Sequence, residues 1–179
     1  LRSIYLFLIL FIFMKNLAIG VMMMCSVFGA SSQSKFNNPI LPGFYPDPSI
    51  CRVNNDYYLV NSSFEYFPGV PIFHSKDLVN WEQIGHCLTT DEQLPLQKAR
   101  FSGGIYAPTI RYNKGTYYMV TTNVSFLGNF YVTAKNPAGP WSEPIKVKQG
   151  GIDPTIFWDE NGKTYFMSTM DNKIFMSEI

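Results

Sequence analysis

Short apolar runs alternate with polar turn residues along most of this chain, and the pattern predicts β-hairpins. Three of these apolar runs each follow a turn segment rich in Asn, Asp and Gly, and they span residues 57–60, 117–120 and 165–168. The turn residues favour the positive φ angles that tight strand connections require. More strand-like sequence follows each hairpin, so the chain from about residue 38 onward is predicted to be all-β.

Each hairpin opens with nearly the same four residues, which indicates an internal repeat. The phrases are Asp47-Pro48-Ser49-Ile50, Ala107-Pro108-Thr109-Ile110 and Asp153-Pro154-Thr155-Ile156. They begin about 46 to 60 residues apart, and a period of roughly 40 to 50 residues with about four strands is typical of β-propeller blades. Trp81 and Trp141 close the first two units, and the third unit has no such ending. We therefore predict two complete blades and part of a third.

The repeat places two aspartates at equivalent positions. In a propeller the innermost strands surround the central axis, and equivalent strand ends converge at one face. Asp47 and Asp153 are therefore predicted to share the mouth of a pocket. An Asp-Pro pair can also simply open a strand, because Asp bonds nearby backbone amides and Pro suits a first strand position. Ala107 occupies the same place in the second unit, so the scaffold does not itself require an acid, and this favours a functional pair.

The first 32 residues differ in character from the rest. An apolar run over residues 4–13 is followed by Met14 and Lys15, and then by a second apolar run that ends in small residues between Gly29 and Ser32. This pattern predicts a secretory signal over residues 1–32, with translation starting at Met14 and residues 1–13 as an upstream extension. A membrane anchor is the alternative, although Lys15 interrupts the apolar stretch.

The folded part is accordingly predicted to span residues 33–179, in an exported protein, periplasmic or extracellular, that leaves the membrane once the signal is removed. The formal net charge is +1, which gives no electrostatic footprint for nucleic acid and suits a neutral ligand. The exported context makes a disulfide between Cys51 and Cys87 possible, but a buried free thiol suits Cys51 equally well. No spacing of His or Cys resembles a zinc site.

Four longer segments, taken together, resemble a known family. They are residues 38–50, 63–70, 103–108 and 151–157, which read NPILPGFYPDPSI, SFEYFPGV, GGIYAP and GIDPTIF. In this order they closely resemble glycoside hydrolase family 43, and within it the β-xylosidase and α-L-arabinofuranosidase branch. The resemblance covers nearly all of residues 38–179.

The resemblance implies a five-bladed β-propeller, here truncated to about two and a half blades, that hydrolyses glycosides with inversion. By motif match Asp47 is the general base and Asp153 orients the general acid and raises its pKa. Phe64, Gly104 and Tyr106 match the residues that line the subsite of the terminal sugar. The implied partner is a xylo- or arabino-oligosaccharide, and no metal or other cofactor is required, because carboxylates perform both proton transfers.

The same resemblance places the general acid in a Glu-Gly-Pro phrase beyond residue 179, so the chain as it stands is expected to be inactive. A sugar-binding remnant without catalytic activity is therefore the alternative function. A protein-binding propeller is a third class, but its Gly-His and Trp-Asp pairs do not recur in this sequence.

Overall fold

The computed structural model describes Tyr5, Phe11, Phe13, Met14 and residues 35–97 and 99–179. The chain divides into two compact units, Leu1–Asn37 and Asn38–Ile179. The predicted signal over residues 1–32 lies almost entirely outside the described residues and stays a prediction. Among the residues that the structure describes, no helix is long and apolar enough to cross a membrane.

The second unit is built from three antiparallel sheets in chain order. The first sheet has the order β1 (Ser49–Val53), β2 (Asp56–Val60), β3 (Gly69–Ser75) and β4 (Glu82–Leu88). The second has β5 (Thr109–Asn113), β6 (Thr116–Asn123), β7 (Gly128–Ala134) and β8 (Ile145–Lys146). The third has β9 (Ile152–Trp158), β10 (Thr164–Met170) and β11 (Lys173–Glu178). The predicted all-β fold, with two complete blades and part of a third, is confirmed.

The three hairpins form because their turn residues accept the left-handed backbone region. Asn54 has a φ of 56° between β1 and β2, and Gly115 has a φ of 80° between β5 and β6. In the first hairpin Ser49 pairs with Val60 and Val53 pairs with Asp56. This register brings the Asp-Pro end of the inner strand beside the far end of β2, where the polar residues that follow β2 begin.

The main core lies between the first and second sheets, with Ile72 and Leu88 on one side and Met119, Phe130 and Trp141 on the other. Fully burying one such aliphatic side chain contributes about 1.5–3 kcal/mol. Inner strand β1 packs on inner strand β5, which in turn packs on β9. The three inner strands therefore lie side by side in chain order, as the propeller prediction requires.

A smaller core joins the second sheet to the third. Val120, Ile156 and Phe166 are buried there, and the rings of Tyr118 and Trp158 lie 4.8 Å apart beside them. This arrangement holds β9, and with it Asp153, against the second sheet.

The state of the two cysteines, which the sequence left open, is settled by the fold. Cys51 and Cys87 are both free thiols, so the disulfide alternative is wrong. Burial raises the pKa of Cys51 to about 11, with Arg111 opposing the shift, and burial also raises the pKa of Cys87. Glu178 lies on outer strand β11 and forms a 2.8 Å ion pair with Lys163.

Candidate active site

The two aspartates of the repeat have the same backbone conformation. Asp47 lies two residues before β1 with a φ of 52°, and Asp153 is the second residue of β9 with a φ of 53°. The left-handed region costs a non-glycine residue roughly 1–2 kcal/mol, and Asp is among the few residues that visit it routinely. The same unusual bend therefore presents a carboxylate at the start of two inner strands.

The two carboxylates also interact electrostatically. Partial burial, and then the negative charge of Asp47, raise the pKa of Asp153 above its usual value. Like charges shift a pKa in this direction because the second ionisation must overcome repulsion from the first. The fold thus brings together the two acids that lie about a hundred residues apart in sequence, whereas their catalytic roles stay predictions.

The raised pKa of Asp153 predicts a pH-dependent gain in stability for Asp153→Asn. A carboxyl whose pKa is raised in the folded state binds its proton more tightly there than in the unfolded chain. The free energy of unfolding therefore falls as pH rises from the pKa of the unfolded state through the pKa of the folded state. The Asn side chain lacks this cost, so the variant is expected to have the higher Tm at pH 7. The difference in Tm should vanish below about pH 3.9, the usual pKa of Asp, because both states are then protonated.

Thermal unfolding of the two proteins across pH 3 to 8 checks this. A Tm difference that is the same at every pH would mean that the substitution acts through packing, and a lower Tm for the variant at pH 7 would contradict the prediction outright.

Asp47 is held by residues that directly follow β2. The Ser62 hydroxyl donates a 2.5 Å hydrogen bond to Oδ2 of Asp47. The Asn61 side-chain amide donates to the carbonyls of Tyr45 at 2.8 Å and Pro46 at 3.1 Å, and the Ser62 N–H donates to the same Pro46 carbonyl at 3.1 Å. The sequence analysis missed these contacts. The available signal was the run of three polar residues, 61–63, at the end of an apolar strand.

Three aromatic rings, one each from residues 38–50, 63–70 and 103–108, contact one another. The ring centroids of Phe64 and Tyr106 are 5.7 Å apart in an edge-to-face arrangement, and those of Phe44 and Phe64 are 6.1 Å apart. Phe44, which the sequence analysis did not single out, is 66% exposed. Its place in the chain, three residues before Asp47, was a signal that could have marked it. The exposed ring of Phe44 and the half-buried rings of Phe64 and Tyr106 suit stacking on the apolar faces of a sugar.

Gly104 lies against the backbone of Phe64, whose ring forms an aromatic wall with those of Phe44 and Tyr106. It has a φ of 78°, and a Cβ atom added there would lie 2.2 Å from the carbonyl oxygen of Phe64. Its own N–H donates to the Ser125 hydroxyl at 3.1 Å, and its carbonyl accepts from the N–H of Val124 at 2.9 Å. Its backbone groups are thus engaged within the protein, so its predicted part in substrate binding acts through the position of Phe64.

A loop over residues 99–104 borders the same site. The backbone N–H of Ser102 donates to the Glu65 carboxylate at 3.1 Å, and the Arg100 guanidinium approaches the Tyr106 hydroxyl at 3.5 Å. Neither Arg100 nor Glu65 was expected at the site. A separate cleft of about 660 Å³ between the second and third sheets contains none of the predicted site residues, so it is not the candidate active site.

The sequence as a whole matches one protein family. Residues 36–179 match the family described as Glycosyl hydrolases family 43. The chain belongs to glycosyl hydrolase family 43. The predicted family is confirmed, and the family is described as one of glycosyl hydrolases.

Curated members of family 43 resemble the chain closely but are much longer. A xylosidase/arabinosidase of Butyrivibrio fibrisolvens is 60% identical over 139 residues, which cover 76% of this chain and 27% of that protein. A non-reducing end α-L-arabinofuranosidase of Bacteroides ovatus is 55% identical over 141 residues, covering 76% of this chain and 26% of that protein. The chain therefore spans about a quarter of the length of these relatives.

Solved structures of family 43 members confirm the fold. A Bacteroides ovatus protein from a xyloglucan utilisation locus superposes with a TM-score of 0.76 at 51% identity, covering 80% of this chain and 29% of that one. A xylan β-1,4-xylosidase from Bacillus halodurans superposes with a TM-score of 0.74 at 41% identity, covering 80% and 31%. The sheets described above are thus blades of a family 43 propeller.

Proposed function

We propose that this chain forms part of the catalytic propeller of an inverting, exo-acting glycoside hydrolase that releases xylose or arabinose from plant-polysaccharide oligosaccharides. The observation that carries the proposal is the pair Asp47 and Asp153, presented by the same left-handed bend in two repeats and coupled closely enough to shift a pKa. Phe44 lies three residues before Asp47 and Phe64 two residues after its partner Ser62, and with Tyr106 their contacting rings supply the apolar surface for a sugar.

In this mechanism Asp47 is the general base. Inversion requires a carboxylate on one face of the sugar to take a proton from water and a protonated acid on the other face, with the two carboxyls roughly 6.5–9.5 Å apart. Asp153 acts on the acid through its charge, because a nearby carboxylate raises the pKa of its neighbour and keeps it protonated near neutral pH. We place the acid, a Glu, in a part of the protein beyond the described residues.

The names of the relatives favour a pentose as the released sugar. The Butyrivibrio protein is a xylosidase/arabinosidase, the Bacteroides protein an α-L-arabinofuranosidase, and a 43% identical Bacillus subtilis relative a β-xylosidase. The proposed partner is accordingly a xylo- or arabino-oligosaccharide bound by its non-reducing end.

The test is hydrolysis of an aryl β-D-xyloside and an aryl α-L-arabinofuranoside. Two longer proteins that contain this chain, called the whole-enzyme hosts below, are assayed. One is the protein from the longest reading frame that contains this chain, and the other is a hybrid in which residues 38–179 replace the matching region of the Butyrivibrio relative. Proton NMR of the first-formed sugar should show α-xylose from the β-xyloside. First-formed β-xylose would contradict inversion, and saturable pentose binding without turnover in both hosts would favour the sugar-binding remnant.

Loss of the Phe64 ring is expected to weaken sugar recognition in the same enzyme. Phe64 contacts both Phe44 and Tyr106, so Phe64→Ala removes the middle of the aromatic wall. An aromatic ring contact contributes about 0.5–1.5 kcal/mol beyond buried area, which corresponds to about 2- to 12-fold, and we expect kcat/KM to fall by about that factor, mainly through KM. Steady-state kinetics check this.

Phe126 provides the matched control for this variant. It is an exposed phenylalanine, 46% accessible, on the hairpin between β6 and β7, and Phe126→Ala should leave kcat/KM near the parent value. Equal losses for the two variants would contradict a specific role for Phe64.

We further propose that the protein is exported, on the strength of the apolar and small-residue pattern over residues 1–32. Fusion of residues 14–35 to a reporter enzyme that is active only outside the cytoplasm should give activity and a processed N-terminus between Gly29 and Ser32. An unprocessed, membrane-bound fusion would favour the anchor alternative.

A further inference from the structure

We propose that Ser62 is a positioning residue that selects Oδ1 of Asp47 as the oxygen that takes the proton from water. This inference rests on the proposed function of Asp47 as general base. Among the described residues, the Ser62 hydroxyl is the hydrogen-bond partner of the Asp47 carboxylate, and its 2.5 Å bond goes to Oδ2. Asp47 is otherwise exposed, so Oδ1 stays open to a water molecule.

The Ser62 hydroxyl is well placed to act as a fixed donor. Ser62 is only 3% exposed and Asn61 only 1%, so neither side chain has solvent as an alternative partner. Three more hydrogen bonds from these two residues hold the carbonyls of Tyr45 and Pro46, which directly precede Asp47. The backbone position of Asp47 and the rotation of its carboxylate are therefore set by one buried pair at the end of β2.

The bond also suits both protonation states of the base. In the reaction a water O–H bond breaks, its proton goes to Oδ1, and the water oxygen forms a bond to the anomeric carbon. The bond from that carbon to the leaving oxygen breaks with its electron pair, and the leaving oxygen takes the proton of the general acid. A protonated carboxyl keeps acceptor capacity on its other oxygen, so Oδ2 accepts from Ser62 before and after the transfer, and no donor must move.

A purely structural role for Ser62 is the competing explanation, and the neighbouring residue illustrates it. Ser63 is 6% exposed, and its hydroxyl accepts a 3.1 Å hydrogen bond from the N–H of Val70. Ser63 thus holds the start of β3, and within the described part of the chain its hydroxyl has a backbone partner where that of Ser62 has a carboxylate. Because the two serines are adjacent and similarly buried, Ser63→Ala is a matched control for the loss of one buried hydroxyl.

The experiment compares Ser62→Ala, Ser62→Cys and Ser62→Thr with Ser63→Ala in both whole-enzyme hosts. A hydrogen bond to an ionised group contributes about 1.5–3 kcal/mol, so we expect kcat to fall about 10- to 100-fold in Ser62→Ala with KM unchanged. Ser62→Cys keeps the volume but donates weakly and should lose as much. Ser62→Thr keeps the hydroxyl and should recover most of kcat. Ser63→Ala should lower Tm without a matching loss of kcat.

Several results would overturn the inference. A parental kcat in Ser62→Ala would show that the hydroxyl is not needed. A parental kcat in Ser62→Cys beside an impaired Ser62→Ala would show that only the volume of the side chain matters. A loss of kcat in Ser63→Ala as large as in Ser62→Ala would indicate a general effect of cavities. If the added methyl group prevents Ser62→Thr from folding, the kcat values of Ser62→Ala and Ser62→Cys decide whether the hydroxyl or only the side-chain volume matters.

Asp47→Asn separates failure of this inference from failure of the proposed function. An inactive Asp47→Asn beside a fully active Ser62→Ala would leave Asp47 as the base and remove Ser62 from its positioning role. An active Asp47→Asn would remove the base itself, and the inference with it.

Discussion

Asp47→Asn is expected to lower kcat about 1,000-fold or more while the enzyme still binds its sugar. General acid–base catalysis contributes about 10²–10⁴-fold, and an amide has no basic oxygen that can take the proton from water. The amide has nearly the shape of the carboxylate, and its oxygen can still accept from the Ser62 hydroxyl, so the surrounding backbone should keep its position. Steady-state kinetics on the aryl pentosides measure kcat, and calorimetric titration with the free pentose measures binding.

Asp91 gives the control for this variant. It is an exposed aspartate that follows β4, remote in sequence from both Asp-Pro phrases, and Asp91→Asn should leave kcat and Tm unchanged. Turnover of Asp47→Asn within a factor of ten of the parent would contradict the base assignment. Loss of both turnover and sugar binding would point to a role for Asp47 in holding the site together.

Gly104→Ala is expected to lower the free energy of unfolding by about 3 kcal/mol or more. A left-handed φ alone costs an alanine roughly 1–2 kcal/mol. The added Cβ would also lie 2.2 Å from the Phe64 carbonyl oxygen, so the backbone bridge between Phe64 and Ile105, with bonds of 2.9 and 3.0 Å, must open or shift. Denaturant unfolding measures the free-energy change, and KM for the aryl xyloside should rise as Phe64 moves.

Gly162→Ala separates the two causes of that loss. Gly162 has a similar φ of 83°, but nothing lies within 4 Å of an added Cβ, so only the backbone cost of about 1–2 kcal/mol should appear. Equal destabilisation by the two substitutions would mean that the contact with Phe64 can relax without cost, and Gly104 would then have no special part in shaping the site.

The repeat made much of the fold predictable from sequence. Turn residues such as Asn54 and Gly115 determine the hairpins locally, and three similar phrases at a nearly regular period define the blades. The pairing of Asp47 with Asp153 followed from the symmetry of a propeller, because equivalent positions of inner strands must converge. Neither step required knowledge of how individual side chains pack.

The features that escaped prediction depend on contacts between distant segments. The hydrogen bonds from Asn61 and Ser62 to the segment before Asp47 form only when β1 pairs with β2 in the observed register. The tight approach of Gly104 to Phe64 needs two loops from different blades to meet, which no local pattern encodes. The state of Cys51 was open for the same reason, since only the packed structure shows whether a second thiol lies within reach.

The backbone bridge between Phe64 and Ile105 joins the connection between β2 and β3 of the first sheet to a residue that precedes the second sheet. The proposed sugar-binding surface therefore crosses the boundary between two blades, and the spacing of its rings depends on how those blades are rotated against each other. Selection for a new sugar should accordingly enrich substitutions at buried positions between the sheets, such as Val60 and Met119, as well as among residues that touch the ligand. We therefore expect sugar specificity to depend on the relative orientation of the blades, which substitutions in the core between the sheets can change.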